Sequence, residues 1–404
     1  MASSTAVSFP NLPSEILFKI CQESARRDLT NFRLACSKFS SIAVEELFST
    51  VYLTNSLKSF QKLKRISEHP VFRKYVKILD TDRRTFCSHY ADRSEIHDFD
   101  DWKDKHAGVG VFENEGMGPG TRVMACSEPE LRCHYAKWLE YLEDEMSFVW
   151  GTDIFSLLPN IIKQFPNLSS VLQTAMLQPG STRKGRPSYE SSMPLLDRSR
   201  FAEDTLSAPE MLAQFTLRPK PWNILQSLYL AKKTSAITAI DGFDLHLSNF
   251  TPESYPHAWE FPALKTLTLI VYHKDQWNAS TYGHMLSRCP KLQELRLIYR
   301  GSSPPPSRNM LRLSFIASGS EHWARLRSIS LEHLALHGSQ LKSLLSSHKS
   351  SLRSLLLRDI TILSETRETH NLGEEMPVSW LDIIEYLKQE MFLTSVELSG
   401  LLSD

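Results

Sequence analysis

One short pattern constrains this chain more than any other feature: L-x-x-(L/I/V)-x-L, recurring through the C-terminal half. It appears as Leu225-Leu228-Leu230, Leu264-Leu267-Leu269, Leu292-Leu295-Leu297, Leu326-Ile329-Leu331, Leu352-Leu355-Leu357 and Leu393-Val396-Leu398. A degenerate copy occupies Phe165, Leu168 and Val171. Successive first leucines are 39, 28, 34, 26 and 41 residues apart. The last two apolar positions of each copy are two residues apart, so they share one face of a strand while their neighbours point the other way. Stretches at 281–287, 340–347 and 380–388 carry helical spacing, as in Leu341, Leu344 and Leu345 or Leu381, Ile384 and Leu387. Strand, turn and helix in each unit predict a parallel sheet built up unit by unit. Residues 69–79 read as an early strand of the same stack, after a helix through Leu57, Phe60 and Leu63.

The segments between these units differ in character. Residues 80–150 hold 16 acidic and 8 basic side chains, 261–360 hold 14 basic and 5 acidic, and 361–404 hold 9 acidic and 2 basic. The whole chain nonetheless balances 46 Lys and Arg against 46 Asp and Glu, which argues against a surface built throughout for nucleic acid or anionic membrane. Residues 80–127, with Asp98, Asp100, Asp101 and the glycine-rich 108–120, read as an acidic loop. A helix is predicted over 128–148 from Leu131, Tyr135, Trp138, Leu139 and Leu142. The Ser-, Pro- and Arg-rich 178–209 reads as a flexible loop, and 301–308 carries three consecutive prolines.

Residues 9–48 read as three short helices. Pro13 suits a helix start, where its missing N–H would be unpaired anyway. Ile16, Leu17, Ile20 and Cys21 then form one apolar stripe. Asp28 is a candidate cap for a second helix carrying Leu29, Phe32, Cys36 and Phe39, and Ser40 or Ser41 for a third carrying Ile42, Leu47 and Phe48. So short a segment cannot cover this many large apolar side chains by itself, so some of them are expected to meet a partner.

The order Leu12-Pro13-x-Glu15-Ile16-Leu17-x-x-Ile20, then Asp28-Leu29-x-x-Phe32-Arg33-Leu34-Ala35-Cys36, then Phe39 and Leu47-Phe48, resembles an F-box. Phe39 stands where many family members have Trp. The resemblance implies docking on a Skp-type adaptor, and through it on a cullin-RING ubiquitin ligase. Leu12, Pro13, Ile16, Leu17, Ile20, Leu29 and Phe32 match the family positions that pack against that adaptor. The longer region resembles the divergent leucine-rich-repeat-like part of fungal F-box proteins, although leucine-rich repeats usually run 20–29 residues. The expected fold is therefore a short all-α three-helix F-box followed by an irregular α/β leucine-rich-repeat-like solenoid with a parallel sheet and loop insertions. The expected divisions are 9–50 for the F-box, 51–79 for a connecting helix and first strand, 80–164 for the acidic insertion and helix, and 165–404 for the solenoid.

In such a stack the open sheet face is the usual ligand surface. Tyr229, Thr268, Glu294, Arg296, Ile298, Glu332, Arg358 and Glu397 are expected to point outward on strands, with Tyr272 and Arg300 in the loops just after. From these, Tyr229, Tyr272, Glu294, Arg296, Arg300 and Arg358 form the candidate target-binding surface, since Tyr and Arg are enriched at interface hot spots.

Catalytic and metal-binding patterns are thin. There is no G-x-S-x-G. Gly180 and Gly185 have the spacing of a phosphate loop, but Arg186-Pro187 follows where Lys-Ser/Thr is required. Cys87-x-His89 and Cys126-x6-Cys133-His134 match no zinc module. The expectation is a non-enzymatic adaptor with no cofactor and no metal, recognising a target protein of unknown identity. The scattered cysteines, the absence of an apolar leader at the N-terminus and the absence of any run of 18 apolar residues lead to an expected cytoplasmic or nuclear location without a membrane partner. Two alternatives share the sequence: a non-degradative interaction scaffold, and a nucleic-acid-binding repeat protein using the basic block 261–360, for which no RNA or DNA module is present.

Overall fold

The computed structural model describes residues 12–24, 26–35, 37–54, 56–82, 98–100, 128–151, 153–173, 224–244, 260–272, 286–300, 323–363 and 378–403. The proline triplet, the glycine-rich stretch, most of the acidic 80–127, the whole of 178–209, and Cys36, Cys87, His89 and Cys126 lie outside the described residues. The chain forms two compact units. One holds residues up to 75 and the helix at 128–151; the other holds 76–81, 153–173 and everything described from 224 onward. Helix and strand boundaries therefore group differently from the linear divisions expected above.

The first unit opens with helices α1 (Ser14–Glu23), α2 (Arg26–Ala35) and α3 (Ser37–Ser49). Pro13 caps α1, its carbonyl accepting from the Ile16 and Leu17 amides at 3.1 Å. Asp28 lies within the first turn of α2 rather than capping it, and Ser40 and Ser41 lie inside α3. An acidic side chain in the first turn still faces the positive end of the helix dipole, which accounts for its place there. Leu17, Cys21, Leu29, Phe39, Ala43 and Leu47 make the core of this bundle, with Leu12, Ile20, Phe32, Ile42 and Phe48 packed against it half-buried. Strand β1 (Thr50–Thr54) leads into α4 (Leu57–Glu68), capped by the Ser56 hydroxyl accepting from the Ser59 amide. The predicted helix at 128–148 is α5 (Glu128–Gly151). It meets α4 through the Phe60 and Phe148 rings, 5.9 Å apart, and through Asp144, which accepts from the Ser56 hydroxyl and the Lys58 amide.

The second unit is a parallel α/β region. Its strands are β2 (Ile78–Asp82), β3 (Ser170–Leu172), β4 (Ala239–Asp244), β5 (Thr266–Tyr272), β6 (Glu294–Arg300), β7 (Ser328–Glu332), β8 (Ala335–His337), β9 (Ser354–Leu363) and β10 (Ser395–Ser403). They lie side by side in the order β2-β3-β4-β5-β6-β7-β9-β10, with β8 beside the far end of β9. Every pairing is parallel. Five of the six leucine copies supply strands, and in four of them every apolar position is buried, from Leu264-Leu267-Leu269 to Leu352-Leu355-Leu357. In the fifth, Val396 and Leu398 lie on β10 at the sheet edge and remain exposed.

The sixth copy is a correction. Leu225, Leu228 and Leu230 belong to a helix, α7 (Ile224–Leu230), packed near α6 (Ile154–Lys163), and the corresponding strand is β4. Residues 69–79 likewise form a turn of 3-10 helix at Phe72–Lys74 before β2 begins at Ile78. The helices expected at 340–347 and 380–388 are α8 (Gly338–Ser347) and α9 (Trp380–Glu390), the second carrying a capping box between Ser379 and Asp382. They touch through the Tyr386 hydroxyl and Ser346 Oγ, 3.2 Å apart.

A second ladder runs beneath the leucines. Before each of four strands a tight turn joins a buried residue to the first leucine: Phe261 to Leu264, Cys289 to Leu292, Trp323 to Leu326 and His348 to Leu352. The leucine amide donates to the buried residue's carbonyl at 2.9–3.1 Å in each turn. Phe165 before Leu168 is buried in the same manner. Trp323 ties neighbouring units together, donating from Nε1 to the Leu286 carbonyl at 2.9 Å and stacking on His348 at 6.0 Å.

Candidate interaction surfaces

The helical segment sorts its seven candidate residues by exposure. Leu17 and Leu29 are covered inside the bundle and belong to the core that holds it together. Leu12, Ile20 and Phe32 are half-buried, each packed on the core along one flank, and the Phe32 ring lies 5.5 Å from that of Phe39. Pro13 and Ile16 stand in solvent. The backbone at Leu12 is fixed by Lys38, whose ammonium donates to its carbonyl at 2.6 Å. Leu34, outside the seven, is 77% exposed. It belongs to the sequence motif, but periodicity alone does not separate it from the core positions around it.

On the sheet, the candidate target-binding residues separate further. Tyr229 is half-buried on α7, away from any strand, for the reason given above. Tyr272 and Arg300 are the last residues of β5 and β6, paired with each other rather than placed in loops, and their side chains lie outside the described residues. Glu294 opens β6 in solvent, its carboxylate accepting from the Thr266 hydroxyl at 3.5 Å. Thr268 and Ile298, expected to point into solvent, are buried.

Arg296 and Arg358 are brought together by a residue between them. Register places Glu332 of β7 opposite Ile298 on one side and Arg358 on the other. Its side chain is 2% exposed, and Arg296 Nε donates to its Oε1 at 2.6 Å. Ser330 donates to the same oxygen at 2.9 Å, and Arg358 Nη1 lies 3.6 Å from Oε2. Arg358 continues the row, with Nη2 3.3 Å from Glu397 on β10 and Nε donating to Ser399. Burial alone would raise the Glu332 carboxyl, but hydrogen bonds from Arg296 and Ser330 and the charge of Arg358 outweigh it and hold its pKa below the ordinary value. The result is an alternating row, Arg296, Glu332, Arg358 and Glu397, crossing four strands.

Just past this row the backbone turns left-handed on adjoining strands. His333 and Asp359 have φ of 58° and 51°, and Gly400 has 78°. His333 Nδ1 lies 3.1 Å from Asp359 Oδ2. A Cβ at Gly400 would collide with the Asp359 carboxylate, so glycine is required there both by its φ and by close approach.

Among the described residues no group of three His, Cys, Asp or Glu could hold a metal ion, and no helix is long and apolar enough to cross a membrane. The buried Cys289 thiol is pushed up to about 12 by desolvation, which leaves it protonated and unreactive.

Comparison with curated proteins returns no match. Residues 9–54 match a family model described as F-box-like, spanning α1 to α3 and β1. F-box domains generally bind Skp-type adaptors, and such a domain suggests a general role in SCF complexes. The chain thus consists of an N-terminal F-box-like helical region followed by a parallel-sheet α/β region.

Proposed function

We propose that the protein is a non-catalytic substrate-recognition subunit of an SCF-type ubiquitin ligase. In this reading residues 9–54 dock on a Skp-type adaptor, and the parallel-sheet region, a divergent leucine-rich-repeat-like solenoid, holds a target protein. The F-box-like match at the N-terminus is the observation that carries it. The exposure of Pro13, Ile16 and Leu34 on a bundle that covers Leu17 and Leu29 supports it, because an apolar surface of that kind is what a desolvated interface anchor requires. The work done is proximity. Holding a target's lysine near a charged ubiquitin raises effective concentration and can accelerate transfer greatly without any catalytic side chain. Such a subunit works in the cytoplasm or nucleus, where the ligase machinery is found.

The direct test is co-purification of the full chain with a Skp-type adaptor, comparing native protein with Ile16→Glu/Leu34→Glu. Both side chains are exposed, so the bundle should fold; circular dichroism checks this. Stoichiometric capture by the native chain, weakened at least about tenfold in the variant, is expected. A folded native chain that captures no adaptor at micromolar concentration contradicts the reading.

A further inference from the structure

The residue just before each strand forms a row of its own. The Lys265 amide donates to the Thr238 carbonyl, Gln293 to Lys265, Arg327 to Gln293 and Arg353 to Arg327, each at 2.8 Å. This ladder aligns the four side chains along the entry edge of β5, β6, β7 and β9, neighbours standing about 4.8 Å apart as in any sheet. A cleft of about 540 Å³ opens there, lined chiefly by Gln293, Arg325, Arg327, Ser350, Ser351 and Arg353.

The charges of this cleft are uncompensated. Arg325 and Arg327 are exposed and make no side-chain hydrogen bond or ion pair among the described residues. Arg353 donates only to backbone carbonyls, those of Leu352 at 2.7 Å and Ser350 at 2.8 Å, which pin its guanidinium to the wall without a counter-charge. Cations nearby on the same unit are neutralised: Arg288 by Glu260 at 2.7 Å, and Lys349 by Glu390. Arg296 and Arg358 are likewise committed to Glu332. Among these described cations of residues 261–360, Arg325, Arg327 and Arg353 are the ones left without a counter-charge, and they lie at the entry edge.

We propose that this cleft binds an acidic, carboxylate-rich segment of a partner protein. Guanidinium forks pair with carboxylates in two-point hydrogen bonds, and both exposed arginines have all their donors available. Their arrangement favours several single charges over one dianion: Arg327 and Arg353 stand at neighbouring strand entries and Arg325 two residues before Arg327, whereas one phosphate needs donors converging on a point. An extended peptide presents same-side side chains roughly 6.6–6.8 Å apart, so the long, exposed Arg325 and Arg327 side chains can each meet a separate carboxylate. The inference rests on the reading of the sheet region as the target-holding part, and its test is read separately from adaptor capture.

The full chain is titrated at about 0.15 M salt with a short labelled peptide alternating Glu and Ser, so that long-range attraction is screened. Comparison peptides carry Gln in place of Glu, with the serines either unmodified or phosphorylated. Arg325→Gln/Arg327→Gln is measured beside a charge-matched control in the first unit, Lys64→Gln/Arg132→Gln. Saturable binding of the Glu peptide, reduced about tenfold or more in the arginine variant and unchanged in the control, is expected. Equal weakening in the control, no binding of the Glu peptide, or binding of the phosphoserine peptide alone overturns the assignment. Adaptor capture by the same preparations distinguishes a failure of this cleft from a failure of the ligase reading.

Discussion

The bundle at residues 12–49 closes around six covered side chains yet leaves Leu34 and Ile16 in water, whereas the sheet region covers every apolar position of its pattern from Leu264 to Leu357. The difference follows from geometry. Three helices of 10 to 13 residues have too little interior for their apolar content, so part of it stays on the surface. Each strand from β5 to β9 instead finds the next unit as its cover, and the row that crosses the open face there is ionic; the exposed apolar side chains of this unit, such as Leu381, Phe392 and Val396, lie toward its C-terminal edge. The bundle is left with apolar surface at α1 and α2, and the middle of the sheet with ionic surface, and the two are suited to different kinds of partner.

The sharpest way to break this contrast is to cut into the leucine ladder. Leu331→Ala, at a fully covered position in the middle of the sheet, should destabilise the second unit by about 2–5 kcal/mol. A urea titration followed by far-UV dichroism measures this, and adaptor capture by the first unit should survive it.

A comparable loss is expected from acid at one step of the turn ladder. His348 is buried, its Nε2 has no hydrogen-bond partner among the described residues, and desolvation lowers its pKa from 6.5 to about 4. The folded state holds it neutral while the unfolded chain protonates it below about 6.5, so its contribution is complete above that pH. It is lost as pH falls from 6.5 toward 4, on the order of 3 kcal/mol in all. His348→Phe, the residue type that serves this position at Phe165 and Phe261, should flatten the pH profile of unfolding in that window.

The ionic row should respond less. Glu332→Gln takes the counter-charge from Arg296 and leaves Arg358 with Glu397 alone, and should cost about 1–3 kcal/mol. Glu397→Gln, at the solvent end of the row, should cost about 0.5 kcal/mol or less. Equal costs at the two positions in chemical unfolding would show that burial does not set the strength of the row.

Much of this architecture is legible in the sequence. Leu264, Leu292, Leu326 and Leu352 announced four adjacent strands because apolar positions two apart fit only one face of a strand. Leu225-Leu228-Leu230 failed because Ile224, Leu225 and Leu228 also satisfy a helical stripe, and seven residues are too few for period to decide. The true strand at β4 carries Ile240 and Phe243 without a leucine copy, so the pattern could not reveal it. The charged surface was half legible. Arg296 and Arg358 were identifiable as strand residues, but Glu332 lies 36 positions from one and 26 from the other, and its burial depends on register that only folding supplies. The free arginines at 325 and 327 escaped because nothing in a linear pattern tells a compensated cation from an uncompensated one.

The central claim is that the two regions face different partners. Amide hydrogen exchange of the full chain, with and without a saturating Skp-type adaptor, tests it most directly. The account predicts slowed exchange in α1 and α2, around Pro13, Ile16 and Leu34, with β5, β6, β7 and β9 unchanged. Protection confined to those strands, or none in either helix, would contradict it.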